Sequence, residues 1–164
     1  MTPRTLRSHL ADELTRSHNR GAWHGPARSE LLTGISAPDA HAHPVPGAHS
    51  IWELVLHMTA WTREVSRRLH GAAPAEPLEG DWPKVASPTD ANWTAALVDL
   101  DSAHAALLAT VASLPVERLD DIVGSADDPA LGTGTTCAMM IAGIAEHDAY
   151  HCGQIALLLR ALGR

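Results

Sequence analysis

Two histidines near the end of the chain, His147 and His151, have the spacing of a metal-binding pair. Residues four apart on an α-helix lie about 40° apart around its axis and one turn along it, so both imidazoles would point at one spot. Neutral imidazole is a good ligand for zinc, nickel, copper or iron. The pattern alone is weakly specific, because the chain contains eleven histidines and chance pairs are expected.

The third ligand should come from another helix, since helical bundles build metal sites from side chains on facing helices. His57 is the candidate, because it lies in the mostly apolar stretch 52–61. A histidine buried there needs a partner for its ring nitrogens, whose desolvation is otherwise costly. The alternative is that His57 is a core histidine satisfied by an ordinary hydrogen bond.

In the segments that must position these residues, apolar side chains recur with the period of an α-helix. No convincing alternation of apolar and polar residues, which would indicate a strand, is present. Ser50 and Glu53 form a predicted capping box at the start of the helix that carries His57. The predicted helices cover about 5–19, 25–34, 50–70, 89–114 and 135–162, and the predicted loops cover 36–49, 72–88 and 115–134. Long helices without internal repeats predict an all-α four-helix bundle, with residues 1–164 forming a single domain.

The composition and net charge of the chain limit the kinds of binding partner that we expect. The chain has 164 residues, of which 45% are apolar and 19% charged, and its formal net charge is −7. This acidity argues against nucleic acid or an anionic membrane surface as the main partner. No apolar run approaches the roughly 20 residues of a membrane helix, no leader peptide is evident, and two cysteines do not make a disulfide framework. We therefore expect a cytoplasmic protein.

Three segments together resemble the DinB-like superfamily, most closely its YfiT-like branch of metal-dependent enzymes. They are Ala22–Pro26, His49–Leu54 followed by His57 and Trp61, and His147–Ile155. The resemblance covers nearly the whole chain, in matching order and spacing. It implies an up-down-down-up four-helix bundle, plausibly a homodimer, that binds one divalent metal ion through three histidines. These map onto His57, His147 and His151, and zinc and nickel are the metals expected.

Several other residues are candidates for the surroundings of that ion. Tyr150 and Gln154 lie three residues after His147 and His151, so each could contact a ligand or a substrate, with ordinary packing as the alternative. His24 and Trp82 are predicted to line the mouth of a pocket. Surface exposure is the expectation for Asp148, His18 and His104, and Cys152 should point away from the ligand face.

An ion with an open position can lower the pKa of water or of a thiol. Because relatives implied by the resemblance include S-transferases that use bacillithiol or mycothiol, we expect transfer of a low-molecular-weight thiol onto an electrophile. The alternatives are metal-dependent hydrolysis of a small amide or ester, and a non-catalytic, stress-associated metal-binding module. Glu146 and Asp148 lie off the ligand face, and this lack of a nearby carboxylate mildly favours thiol transfer.

Overall fold

A computed structural model describes residues 5–19, 21–125, 128 and 131–164. Residues 1–4 and 20, and positions 126–127 and 129–130 of the predicted loop 115–134, lie outside this description. The helices are α1 (Leu6–His18), α2 (Arg28–Leu32), α3 (Ala37–His41), α4 (Ile51–Leu69), α5 (Asp90–Ser113) and α6 (Cys137–Ala161), with a 3₁₀ helix at Val116–Asp120. The described residues form no strand beyond an isolated bridge between Ile122 and Thr136. The all-α prediction is confirmed.

Local chemistry explains where the long helices begin. Thr5, Ser50, Thr89 and Thr136 are the N-cap residues of α1, α4, α5 and α6, and each side chain accepts a hydrogen bond from a backbone N–H in the first turn. At Ser50 the predicted capping box is complete, because the Glu53 carboxylate also accepts from the Ser50 N–H at 2.8 Å. The helix that carries His57 is therefore fixed in register at its first residue.

The prediction of a loop over 36–49 is wrong for its first part, which forms the short helix α3. Ser36 caps this helix by accepting a hydrogen bond from the Asp39 N–H at 3.3 Å, and proline is tolerated in a first helical turn. Ala37 and Ala40 are buried, so this short helix is stabilised by its packing. A helix of five residues is too short to show a helical repeat of apolar residues in the sequence.

The direction of α1 relative to α5 follows from contacts at their ends. Arg7 donates to the Leu114 carbonyl at 2.7 Å, and His18 lies 3.3 Å from Asp101. The start of α1 is therefore beside the end of α5, and the two helices are antiparallel.

Contacts along α4 fix the other two directions. From the first turn of α4 to its last, the neighbouring residues of α5 have increasing numbers, and the neighbouring residues of α6 have decreasing numbers. For α5, the Trp52 ring packs on Trp93 and Ser66 hydrogen-bonds to Thr110. For α6, Leu54 lines a cavity together with Leu158, and Val65 lines another together with Ile144. The long helices α1, α4, α5 and α6 thus run up, down, down and up, as the resemblance implied.

Two apolar clusters fill the bundle, and a polar layer separates them. One cluster contains Leu14, Leu107 and Ile141, and the other contains Trp52, Leu100 and Ile155. Between them, α6 contributes residues 147–151, and the layer also holds His57 from α4 and His104 from α5. The predicted metal ligands therefore lie at mid-height of the bundle, where His57 and His151 are buried and His147 is partly buried.

By length and composition alone, α5 is apolar enough to cross a membrane, and it is the one such helix in the described part of the chain. In the structure this helix packs against α4 and α1 and supplies Trp93, Leu100 and Leu107 to the core.

Candidate metal centre

The antiparallel packing of α4 on α6 brings three imidazoles together. The Nε2 atom of His147 lies 3.0 Å from the Nε2 atoms of both His57 and His151, and the candidate ligand atoms all lie within 4.8 Å of one another. His57 and His151 are 6% and 4% exposed. One turn of α6 and one residue of α4 therefore form a group that could hold a metal ion.

Hydrogen bonds on the far side of the rings determine which nitrogens face the centre. His57 Nδ1 lies 2.7 Å from the Asp81 carbonyl oxygen, and His151 Nδ1 lies 2.6 Å from Gln154 Oε1. Both oxygens only accept, so both Nδ1 atoms carry the proton, and the two Nε2 atoms of the neutral rings carry lone pairs.

These two lone pairs point at His147 Nε2, whose own Nδ1 is buried without a hydrogen-bond partner among the described residues. A single N–H on His147 cannot properly satisfy both neighbours, whereas a cation between the three nitrogens would satisfy all of them. The donor set consequently fits a divalent ion of the kind that imidazole prefers.

Burial also keeps these rings in the form that binds metal. Desolvation lowers the pKa of His147 to about 3, and the neighbouring His151 and His57 add to this lowering. Desolvation likewise lowers the pKa values of His57 and His151, although the Asp81 carbonyl and Gln154 partly oppose it. The rings are therefore neutral near pH 7, as ligation requires.

A cavity of about 420 Å³ opens beside the histidines, between α4, α6 and the loops that follow α4 and precede α6. Its wall includes edges of His57 and His147 and the Asp81 side chain. The remaining lining residues are mostly apolar, with Trp61, Val65, Leu131, Met139, Met140 and Ile144 among them. A small molecule in this cavity would lie against His57 and His147, and a mostly apolar cavity with a few polar groups is the usual form of a site that binds small molecules.

The sequence model of the DinB superfamily matches residues 25–155 of the chain. The chain belongs to the DinB superfamily. The match contains all three histidines, while α1 precedes it. Neither a curated protein nor a solved structure matches the chain.

In this DinB-superfamily chain, Trp82 contacts His57 and Gln154 contacts His151, and neither residue lines the cavity beside the histidines. The Trp82 ring stacks between His57 and His49, at centroid distances of 4.0 and 3.5 Å, and is 37% exposed. The Tyr150 ring touches the edge of His151 at 5.1 Å and is 65% exposed.

His24 lies elsewhere. It lines a different cavity of about 520 Å³ between α1 and α6, together with Trp23 and Glu146. It is therefore not among the residues that line the cavity at the three histidines.

Sequence reasoning missed Asp81. Its carbonyl holds the His57 ring, and its carboxylate accepts a hydrogen bond from Trp61 Nε1 at 2.7 Å and lies 3.3 Å from His57 Nδ1. The only signal was its position next to Trp82 in a long loop, because the path of that loop depends on tertiary packing.

The expectation that Asp148 is a surface residue is wrong. It is 2% exposed and accepts a hydrogen bond at 2.6 Å from the fully buried Arg28 of α2. The same guanidinium donates to His18 Nδ1, and the His18 ring stacks on His104 at 4.0 Å. His18 and His104 are thus also buried rather than exposed, because α2 folds over α6 and covers this face.

Cys152 is buried as well, and it is not part of the candidate metal group among the described residues. Burial raises the pKa of its thiol to about 12, so this cysteine is no nucleophile near pH 7.

Proposed function

We propose that the chain is a metal-dependent transferase that holds one divalent ion, zinc or nickel, at His57, His147 and His151. Its substrates would be a low-molecular-weight thiol of the bacillithiol or mycothiol type and an electrophile. The observation that supports this most is the convergence of three Nε2 atoms, two of them with tautomers fixed by outer hydrogen bonds, beside a cavity that His57 and His147 line. Assignment to the YfiT-like branch, cytoplasmic location and a homodimer belong to the same proposal, and they rest on the resemblance and on composition.

In the proposed reaction, the thiol sulfur forms a bond to the electrophilic carbon, the bond to the leaving group breaks, and the leaving group keeps its electron pair. The thiol proton passes to solvent. A divalent ion at the three histidines would supply positive charge that lowers the pKa of the incoming thiol. The chain itself holds the rings in place through Asp81 and Gln154, and Trp82 covers one face of His57.

Hydrolysis of a small amide or ester is the second candidate, and Asp81 is the observation that favours it. A hydrolase needs a group to take the proton of the attacking water, and the Asp81 carboxylate lines the cavity. This carboxylate, however, lies on the Nδ1 side of the His57 ring, away from Nε2, and already accepts a hydrogen bond from Trp61. Thiol transfer, which does not need a carboxylate base there, remains the first proposal.

Metal content tests the centre directly. Elemental analysis of the purified protein should find about one zinc or nickel per chain, and alanine substitution of any one of the three histidines should reduce this to below a tenth. His70→Ala is a matched control, because His70 is an exposed histidine at the end of the same α4. Full metal retention in His57→Ala would refute the three-histidine site.

Turnover tests the reaction. The metal-loaded protein is assayed with bacillithiol, mycothiol and glutathione against a panel of electrophiles, and separately with esters and amides without thiol. Thiol-dependent product supports the proposal, whereas thiol-independent cleavage establishes the hydrolase instead. Stoichiometric metal with no turnover in either assay would favour the non-catalytic, stress-associated binding module.

A further inference from the structure

A glycine of α6 borders the cavity beside the histidines. Gly143, His147 and His151 are spaced four apart on α6 and so share one face of the helix, and Gly143 lines the cavity one turn before His147. A Cβ built on Gly143 meets nothing within 4 Å. The space beside Gly143 is therefore open, and a long side chain at this position has room to extend into it.

The charged groups on the cavity wall are already paired. Arg68 donates to Glu64 at 2.6 Å and to the carbonyls of Leu131 and Ala75 at 2.6 and 2.9 Å, so its guanidinium is committed to holding two loops. The other charged lining group among the described residues, Asp81, accepts from Trp61. Apart from an ion held at the three histidines, a charged ligand would find no unpaired counter-charge on this wall, so a charged group placed away from that ion would lose its hydration without compensation.

The rest of the wall suits an apolar ligand of variable shape. Met139 and Met140 on α6 are flexible and polarisable, and the Trp61 ring forms a flat surface opposite them. A cavity of about 420 Å³ lies within the range that holds small organic molecules.

We propose that this cavity binds the apolar body of an uncharged organic electrophile, and that Gly143 is the residue that determines how large that body can be. The inference rests on the proposed function for the role of the ligand, but the binding site itself is testable without turnover. The thiol, which carries polar and charged groups, would then reach the histidines from outside this apolar cavity.

Binding of N-phenyl-1-naphthylamine, an uncharged aromatic probe whose fluorescence rises in apolar surroundings, tests the site in the metal-loaded protein. Gly143→Leu should weaken binding of the probe at least tenfold, because the leucine side chain would occupy the cavity. Gly153→Leu is the matched control. Gly153 lies in the same helix, also has nothing within 4 Å of a built Cβ, and does not line the cavity. The affinity of Gly153→Leu for the probe should therefore stay within twofold of the wild-type affinity.

A second variant guards against a change in folding. Met139 is largely exposed at the cavity edge, so Met139→Glu should leave the melting temperature and the metal content unchanged while weakening probe binding several-fold. Probe affinity unchanged in both Gly143→Leu and Met139→Glu would overturn the inference.

Turnover separates this inference from the proposed function. If the transferase proposal holds, Gly143→Leu should raise the KM for bulky aromatic electrophiles at least tenfold and leave iodoacetamide, a small electrophile, within twofold. Loss of probe binding in Gly143→Leu together with no thiol transfer by wild type would uphold the cavity and refute the transferase. Normal turnover of bulky electrophiles by Gly143→Leu would refute the role of Gly143 and uphold the transferase.

Discussion

Gln154 is the residue whose substitution best tests how the candidate centre is held. Its amide oxygen is 2.6 Å from His151 Nδ1, and it thereby fixes the tautomer that presents Nε2 to the centre. Removing an outer partner of this kind typically weakens metal binding about 10- to 100-fold, which is about 1.4–2.7 kcal/mol. His57 offers no equivalent test, because its outer partner is a backbone carbonyl that no substitution removes.

The expected stability change follows from mass action. At a metal concentration of about 1,000 times the wild-type Kd, binding stabilises the folded state by about 4.1 kcal/mol, and the same concentration would stabilise Gln154→Leu by only about 1.4–2.7 kcal/mol. Without metal the variant should differ from wild type by no more than about 0.5 kcal/mol, because Gln154 is partly exposed. Competition with a chromophoric chelator gives the Kd, and urea denaturation with and without metal gives the stabilities.

Two further variants make this test decisive. Gln154→Glu keeps an acceptor at Nδ1 and adds charge to the hydrogen bond, so it should bind metal at least as tightly as wild type. Leu157→Ala changes an exposed residue almost one turn further along α6 and should leave the Kd unchanged. The reasoning would be refuted by a Gln154→Leu Kd within twofold of wild type, or by an equal loss of stability with and without metal.

Three other predictions concern stability. Arg28→Met removes the partner of the buried Asp148 and should cost about 3–5 kcal/mol in urea denaturation, whereas an unchanged unfolding midpoint would show that the ion pair is dispensable. Burial lowers the pKa of His18 to about 4 and of His104 to about 3, so the unfolded state binds more protons and stability falls as the pH drops below about 6.5. At pH 5 the free energy of unfolding should be lower by up to about 2 kcal/mol for each of the two rings. In urea denaturation at several pH values, His104→Leu should remove one of these two contributions. Ser50→Ala should destabilise the chain by about 0.5–2 kcal/mol in the same assay, since it removes the cap of α4.

The long helices and their caps were predictable because their signals are local. Each of these signals acts within one or two helical turns. They are the spacing of apolar residues, the capping box of Ser50 and Glu53 that begins α4, and Gly71, which follows the end of α4 with a φ of 92°. The up-down-down-up topology came from the resemblance, whereas His57 was chosen as the candidate third ligand for its apolar neighbours in sequence and the resemblance then implied the same residue.

What sequence reasoning missed depends on contacts between distant segments. Asp81 reaches His57 across 24 residues, and Arg28 reaches Asp148 across 120. An aspartate on a helix or in a loop is exposed by default, and only the short helix α2 folding onto α6 reverses this for Asp148. The carboxylates adjacent in sequence to His147, those of Glu146 and Asp148, do not contact the candidate ligands, whereas the Asp81 carboxylate, from a distant loop, lies 3.3 Å from His57 Nδ1.

His147 and Asp148 connect these two findings, because adjacent residues on a helix point about 100° apart. His147 faces His57 of α4, and the Asp148 carboxylate lies 2.6 Å from the Arg28 guanidinium. A rotation of α6 that turned His147 away from His57 would also separate Asp148 from Arg28, and it would leave the buried Asp148 carboxyl without this partner. Breaking a buried pair of this kind costs about 3–5 kcal/mol, several times the net value of a typical hydrogen bond. The ion pair on one face of α6 therefore holds the imidazoles on the other face in the orientation that a metal ion needs, even before any ion is bound.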